Sequence, residues 1–253
     1  MKILVTFGLE NEFAPWRKLR SFERVSIDEW DKTYGTRIGD ADVRVFLTGA
    51  GRFATQRAMV IALDEKPDVC IACGLAGGLR TELALGAILV PRTVSDAREA
   101  KLSHCSPDLV QLARSLGAVV VERFLTVEQV VAKSENKRRL GELGDAVDME
   151  TLWIISAAIA QGIRSVAVRA ISDLVDSDLP LDFAEVFDRA GEVSVGRVVG
   201  QVARRPQRLP ALLRLAHQSQ RAASALATFL DTYVQQIPAS PFDEYAKADA
   251  IAL

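Results

Sequence analysis

Short β-rich apolar runs recur along the chain with helix-forming stretches between them. Strands with no polar face must be covered on both sides, so this alternation predicts an α/β domain with a central sheet flanked by helices. Lys2–Phe7 reads as the first strand. Val43–Thr48 is another, followed by Gly49-Ala50-Gly51 and a helix over Phe53–Leu63 with Ala54, Ala58, Ile61 and Ala62 at helical spacing. Asp68–Cys73 is a third, ending in a glycine-rich turn, Gly74-Leu75-Ala76-Gly77-Gly78. Gly86–Val90, stopped by Pro91, then Ala118–Val121 and Ser165–Ile171 complete the strands. Thr151–Gln161 is apolar nearly all round, which places that helix in the interior.

The last third differs. Leu212, Leu213, Ala216, Ala223, Leu226, Ala227, Leu230 and Val234 predict one long amphipathic helix from Leu209, its start bracketed by Pro206 and Pro210. It reads either as packing on the domain or as a wall of the site or a membrane-touching face. Pro238–Leu253 has no period and reads as a flexible tail. The expected layout is a single domain over 1–237, with a helical extension from about 195, then the tail at 238–253.

Composition removes several kinds of function. With 31 Lys+Arg against 33 Asp+Glu the net charge is −2, so there is no global basic field for nucleic acid. His104 and His217 are the only histidines, which disfavours zinc and histidine-based nucleophile machinery and points to carboxylates. Three unclustered cysteines suggest a reducing compartment. Cys70 and Cys73 form a C-x-x-C, but residues three apart on a strand face opposite ways, so core cysteine is expected rather than a metal clip. Glu10 and Glu12 follow the apolar start at once, against a signal peptide, and a cytoplasmic protein is expected.

Ligands of open α/β sheets bind at the carboxyl ends of strands. The segments there include Gly8-Leu9-Glu10-Asn11-Glu12, Gly49-Ala50-Gly51-Arg52, Gly74–Gly78 and Arg169-Ala170-Ile171-Ser172-Asp173, with Val147-Asp148-Met149-Glu150 before the interior helix. In order and spacing over roughly 1–190 these five blocks resemble the purine nucleoside phosphorylase and nucleosidase superfamily, above all its methylthioadenosine/S-adenosylhomocysteine nucleosidase branch. The resemblance implies N-glycosidic cleavage without a cofactor, in a pocket shared by a homodimer. It also implies the site: Asp173 protonating the purine, Ser172 holding Asp173, Glu150 taking ribose hydroxyls over Met149, Glu12 activating water, and Arg169 orienting that water or keeping Glu12 ionised. Leu75, Ala76 and Gly77 would line the pocket, and Leu9, Phe53, Phe183 and Phe187 are candidate apolar walls, or ordinary core. Plainer readings stand beside these: Glu12 as a surface acid, Asp173 as an N-cap, Glu150 as first-turn charge, Arg169 as half of a structural ion pair.

Two departures from the family pattern bear on the reaction. Leu75 stands where Ser or Thr is usual, removing a hydroxyl from the expected phosphate or water site and favouring hydrolysis over phosphorolysis, with Arg52 left as a possible anion ligand. Asp148-Met149-Glu150 replaces Glu-Met-Glu and no aromatic residue precedes it in Gly141–Ala146. With Leu179-Pro180, Gly191 and the Ala203–Leu215 stretch, this resembles the hopanoid-associated branch, which removes adenine from adenosylhopane. Gly49-x-Gly51-x-x-Ala54 also fits a dinucleotide fingerprint, but the acid that fingerprint needs at the end of the next strand is missing, where Cys73-Gly74 stand. A non-catalytic nucleoside-binding module would need Glu150 but not Glu12 and Asp173 as well.

Overall fold

The computed structural model describes residues 1–25, 32–97, 101–183, 186, 191 and 193–239. The chain runs β1 (Lys2–Phe7), α1 (Glu10–Leu19), β2 (Glu23–Arg24), β3 (Thr33–Ile38), β4 (Ala41–Leu47), α2 (Arg52–Ala62), β5 (Val69–Gly78), β6 (Ile88–Asp96) and β7 (Leu102–His104). It continues through α3 (Pro107–Ser115), β8 (Val119–Thr126), α4 (Ser134–Gly141), β9 (Ala146–Asp148), α5 (Thr151–Ala160), β10 (Arg164–Asp173), α6 (Val195–Arg204) and α7 (Leu209–Gln236). The strands form one mixed sheet in the order β10-β6-β8-β9-β5-β1-β4-β3-β2, and β10 also pairs with β5, which closes part of the sheet into a ring. Parallel pairs β1–β4, β1–β5 and β5–β10 put the carboxyl ends of β1, β5 and β10 side by side.

Two expectations change, and one of the plainer readings falls. The segment Gly74–Gly78 is not a turn: it is the second half of β5, paired with β10 from Gly74 to Gly77 and with β9 at Gly77 and Gly78. Glycine is needed there because a side chain at Gly74, where φ is +143°, would overlap the Arg169 guanidinium. Pro91 does not stop β6, which continues to Asp96. On one edge Pro91 falls between the pairing of Leu89 with β10 and that of Thr93 with β7, and on the other it pairs with Val121 of the parallel β8. Asp173 caps no helix, being the last residue of β10.

The interior reading of α5 agrees with its buried Leu152, Trp153, Ile154, Ile155 and Ala158. Cys70 and Cys73 are free and fully buried in the core, with the Cys70 thiol pushed up to about 12 by desolvation. α7 docks its second half on the domain through Ala223, Leu226, Leu230 and Val234, and Tyr233 donates to the Leu109 carbonyl at 2.8 Å. Arg20 and Asp231 pair at 2.6 Å, tying α7 to the end of α1. The expected tail lies outside the described residues from 240 onward.

Candidate active site

A cavity of about 250 Å³ opens where β1, β5 and β10 end, and Leu9, Glu12, Leu75, Ala76, Gly77, Met149, Glu150, Ser172 and Asp173 all line it. Four carboxylates reach it: Glu12, Asp148, Glu150 and Asp173. No lysine or arginine is among the described lining residues.

Glu12 lies in the first turn of α1, directly after β1, and its two oxygens are held separately. Oε2 accepts from the Leu9 N–H at 3.0 Å and Oε1 from the Leu75 N–H at 2.9 Å. The second bond answers the loss of the usual hydroxyl at 75, because the main chain supplies the donor whatever the side chain. Burial raises the Glu12 carboxyl above its ordinary value, opposed by the charge of Arg169 and by these backbone donors.

Glu150 stands at the start of α5, where its Oε1 accepts from the Gly51 N–H at 2.8 Å. The Gly49–Gly51 turn therefore spends this donor on a carboxylate rather than a pyrophosphate. Desolvation is the main reason the Glu150 carboxyl rises to about 7; Arg169 pulls it down and Asp148 pushes it up.

Arg169 is buried beneath the cavity rather than in its lining. Nη2 lies 2.9 Å from Asp148 and 3.7 Å from Glu150, and Nε and Nη2 both donate to Thr151 Oγ1 at 3.1 and 2.9 Å. Burial opposes its charge, but Asp148, Glu150 and Glu12 outweigh that and raise its pKa. Asp148 is itself fixed by Thr126 Oγ1 at 2.9 Å, by the Thr151 N–H at 3.2 Å and by the Thr151 hydroxyl. The aspartate of the Asp-Met-Glu variant is thus the principal anchor of Arg169.

Asp173 reaches the cavity through an irregularity. The β10–β5 register slips between Ile171 and Asp173, a bulge that turns both Ser172 and Asp173 to the cavity where regular alternation would separate them. Ser172 Oγ donates to Asp173 Oδ1 at 2.8 Å. Asp173 Oδ2 accepts from Lys137, a residue the sequence reading passed over in a strongly polar helix, α4. Lys137 is 1% exposed and also donates to the Leu174 and Ser177 carbonyls, both at 3.0 Å. No sequence signal marks it: the structure buries it on the side of α4 that also buries Gly141, one turn on.

Among the apolar walls, Leu9 and Phe183 line the cavity, joined by Val127, Val130, Val131, Leu179, Val193 and Leu215. Phe53 does not: it is 87% exposed in the first turn of α2, and the neighbouring Gly51 meets the site through its backbone instead. Phe187 lies outside the described residues. Arg52 is not in the lining either, its guanidinium sitting 4.4 Å from the centre of the Trp153 ring. Ala50 donates to the Gly191 carbonyl at 3.0 Å, which holds the segment carrying Val193 against the end of the β4–α2 turn.

An α/β domain that gathers four carboxylates at adjacent strand ends, backed by two buried cations, is built for acid–base chemistry on a neutral or cationic small molecule. The Phosphorylase superfamily model matches residues 2–203, and the chain belongs to that family. A 5′-methylthioadenosine/S-adenosylhomocysteine nucleosidase of Shewanella halifaxensis is 26% identical over 193 residues, covering 64% of this chain and 82% of that relative. The same fold occurs in a Helicobacter pylori nucleosidase of that name solved with butyl-thio-DADMe-Immucillin-A (TM-score 0.73, 16% identity, 94% of this chain and 99% of that one). A futalosine hydrolase mutant of Helicobacter pylori matches similarly (TM-score 0.71, 17% identity, 94% and 100%).

Proposed function

We propose that this protein hydrolyses the N-glycosidic bond of a 5′-substituted adenosine and releases adenine, with no cofactor. The observation that carries the reading is the cavity lining: four carboxylates and, among the described residues, no cationic side chain. Such a lining repels phosphate and suits a sugar that becomes cationic in the transition state.

The steps follow from the placement. As the C1′–N9 bond breaks, its electron pair goes to the base, and the Asp173–Lys137 pair supplies the proton the base takes up. Glu150 accepts the ribose hydroxyls above Met149. Water attacks C1′ and gives its proton to Glu12, whose carboxylate is held by Leu9 and Leu75. The products are adenine and the free 5-substituted ribose, and the proton on Glu12 returns to Lys137 through solvent.

The apolar end formed by Val130, Val131, Leu179, Phe183 and Leu215 supports a long apolar 5′ group, of the adenosylhopane type, over a charged one. Homodimer formation is supported by the apolar face of α2, where Phe53, Val60 and Ile61 are 87, 76 and 50% exposed. A cytoplasmic setting accords with three free, buried cysteines.

The test is a panel of adenosines differing only in the 5′ substituent, from methylthio to long alkyl, with and without phosphate. Adenine and free sugar at a phosphate-independent rate are expected, rising in kcat/KM with alkyl length. Ribose 1-phosphate among the products would overturn hydrolysis. Asp173→Asn should lower turnover by roughly 10²–10⁴-fold.

A further inference from the structure

We propose that α6 and the first half of α7 form a docking surface for an anionic membrane. Between Glu192 and Asp231 the sequence contains six arginines (197, 204, 205, 208, 214 and 221) and no acidic residue, in a chain whose net charge is −2. Interleaved with them are apolar side chains that the fold leaves in solvent: Val195 is 73% exposed, Val199 60%, Leu209 43% and Leu213 61%. No residue of α6 is buried, and the first buried residue of α7 is Ala222.

Valines at 195, 199 and 202 recur at helical spacing on α6, and Leu209 and Leu213 are one turn apart on α7. The surface is held in shape: Gln201 exchanges two hydrogen bonds with the Asp182 backbone, at 2.9 and 2.8 Å, and Arg208 donates to the Pro180 carbonyl at 3.1 Å. Arg204, Arg205 and Arg208 surround a shallow cavity with Leu212, and Asp182 is the acid at its rim.

Apolar side chains flanked by arginines, with no acids between them, match the boundary between anionic headgroups and acyl chains. Exposed valine and leucine gain nothing from a nucleic-acid backbone, and the patch lacks the aromatic anchors usual in protein interfaces. Among the described residues no helix is long and apolar enough to cross a membrane, so the contact is peripheral. The same α7 that presents Leu209 and Leu213 contributes Leu215 and Ser219 to the active-site cavity, which sets the apolar end of that cavity beside the docking surface.

The test uses the full chain in co-sedimentation with phosphatidylcholine vesicles, with and without phosphatidylglycerol, at low and high salt. Binding should require the anionic lipid and weaken with salt. An arginine near an anionic surface strengthens binding about fivefold, so the triple variant Arg204→Gln, Arg205→Gln, Arg208→Gln should bind about 10²-fold more weakly. Leu213→Asp should weaken binding with the arginines intact. Thermal melting confirms that the variants are folded, whatever reaction the site performs. No binding, equal binding to neutral vesicles, or variants that bind like wild type would overturn the proposal. So would light scattering that shows Leu213→Asp dissolving an association between copies, or RNA displacing the vesicles.

Discussion

Glu150 is 7% exposed, shares its surroundings with Asp148 and Glu12, and has its carboxyl raised to about 7 from an ordinary 4.5. A carboxyl held this way remains protonated in the folded chain at pH values where the unfolded chain has already released the proton. Its contribution to stability is therefore fully present below 4.5 and lost as pH rises to about 7. The loss amounts to roughly 1 kcal/mol at pH 5 and about 3 kcal/mol at pH 8. Glu150→Gln removes this titration while its side-chain carbonyl can still accept from Gly51. The variant should thus gain about 2 kcal/mol on wild type between pH 5 and pH 8, or about 4–8 °C in melting temperature for a chain of this size. On the proposed mechanism turnover should move the other way: above pH 7, losing the two charge-assisted bonds of ionised Glu150 to the ribose hydroxyls, at about 1.5–3 kcal/mol each, lowers kcat/KM by roughly 10²–10⁴-fold. Calorimetry of both proteins across pH, with no ligand, makes the comparison, and groups that do not interact with Glu150 cancel. A variant-minus-wild-type difference that is flat with pH would refute the argument that Glu150 is held protonated by its burial.

Lys137→Met should leave Asp173 buried without its cation, costing about 3–5 kcal/mol of stability by calorimetry. Turnover should also fall by at least 10²-fold, with the pH–rate profile displaced, which a merely structural lysine would not do. Gly74→Ala places a methyl group into the Arg169 guanidinium and 3.1 Å from both Glu12 oxygens, so it should abolish turnover and lower the melting temperature; wild-type kinetics would refute the close packing. On the proposed mechanism the kcat/KM profile of wild type should fall as pH drops, because Glu12 would have to be ionised to accept a proton and burial raises its pKa.

β1, β4, β5, β6, β8 and β10, the interior helix and the long C-terminal helix were legible because each has a period or an unbroken apolar run, whereas β2, β3, β7 and β9 were not read. The misread boundaries share a cause. Gly74–Gly78 looks like a turn locally, and only the approach of Arg169, Glu12 and Asp173 shows why a strand there must lack side chains. Pro91 looks like a stop until the ladders to β10 and β7 are seen to leave its position free on one edge while β8 pairs it with Val121 on the other. In the site, Glu12, Glu150 and Asp173 were readable as acids at strand and helix ends. Lys137 was not, since a lysine in Ser134–Gly141 differs from its solvated neighbours only in the tertiary contacts it makes. Phe53 was misplaced because apolar character alone does not tell a pocket wall from an exposed helix turn.

The arrangement of charge explains how a buried group of acids can serve this chemistry. Arg169 lies below Glu12, Asp148 and Glu150, and Lys137 lies beyond Asp173, so both cations are among the most buried side chains while the carboxylates line the cavity. The cations keep the acids from costing their full desolvation, yet neither stands where an incoming phosphate would need it. Desolvation raises Glu150 most, and one guanidinium shared among three carboxylates does not bring it back down. A sugar acquiring positive charge at C1′ would complete the neutralisation. On this reading, the instability these crowded acids carry is the electrostatic complement of the transition state, and relieving it by mutation and losing catalysis are the same event.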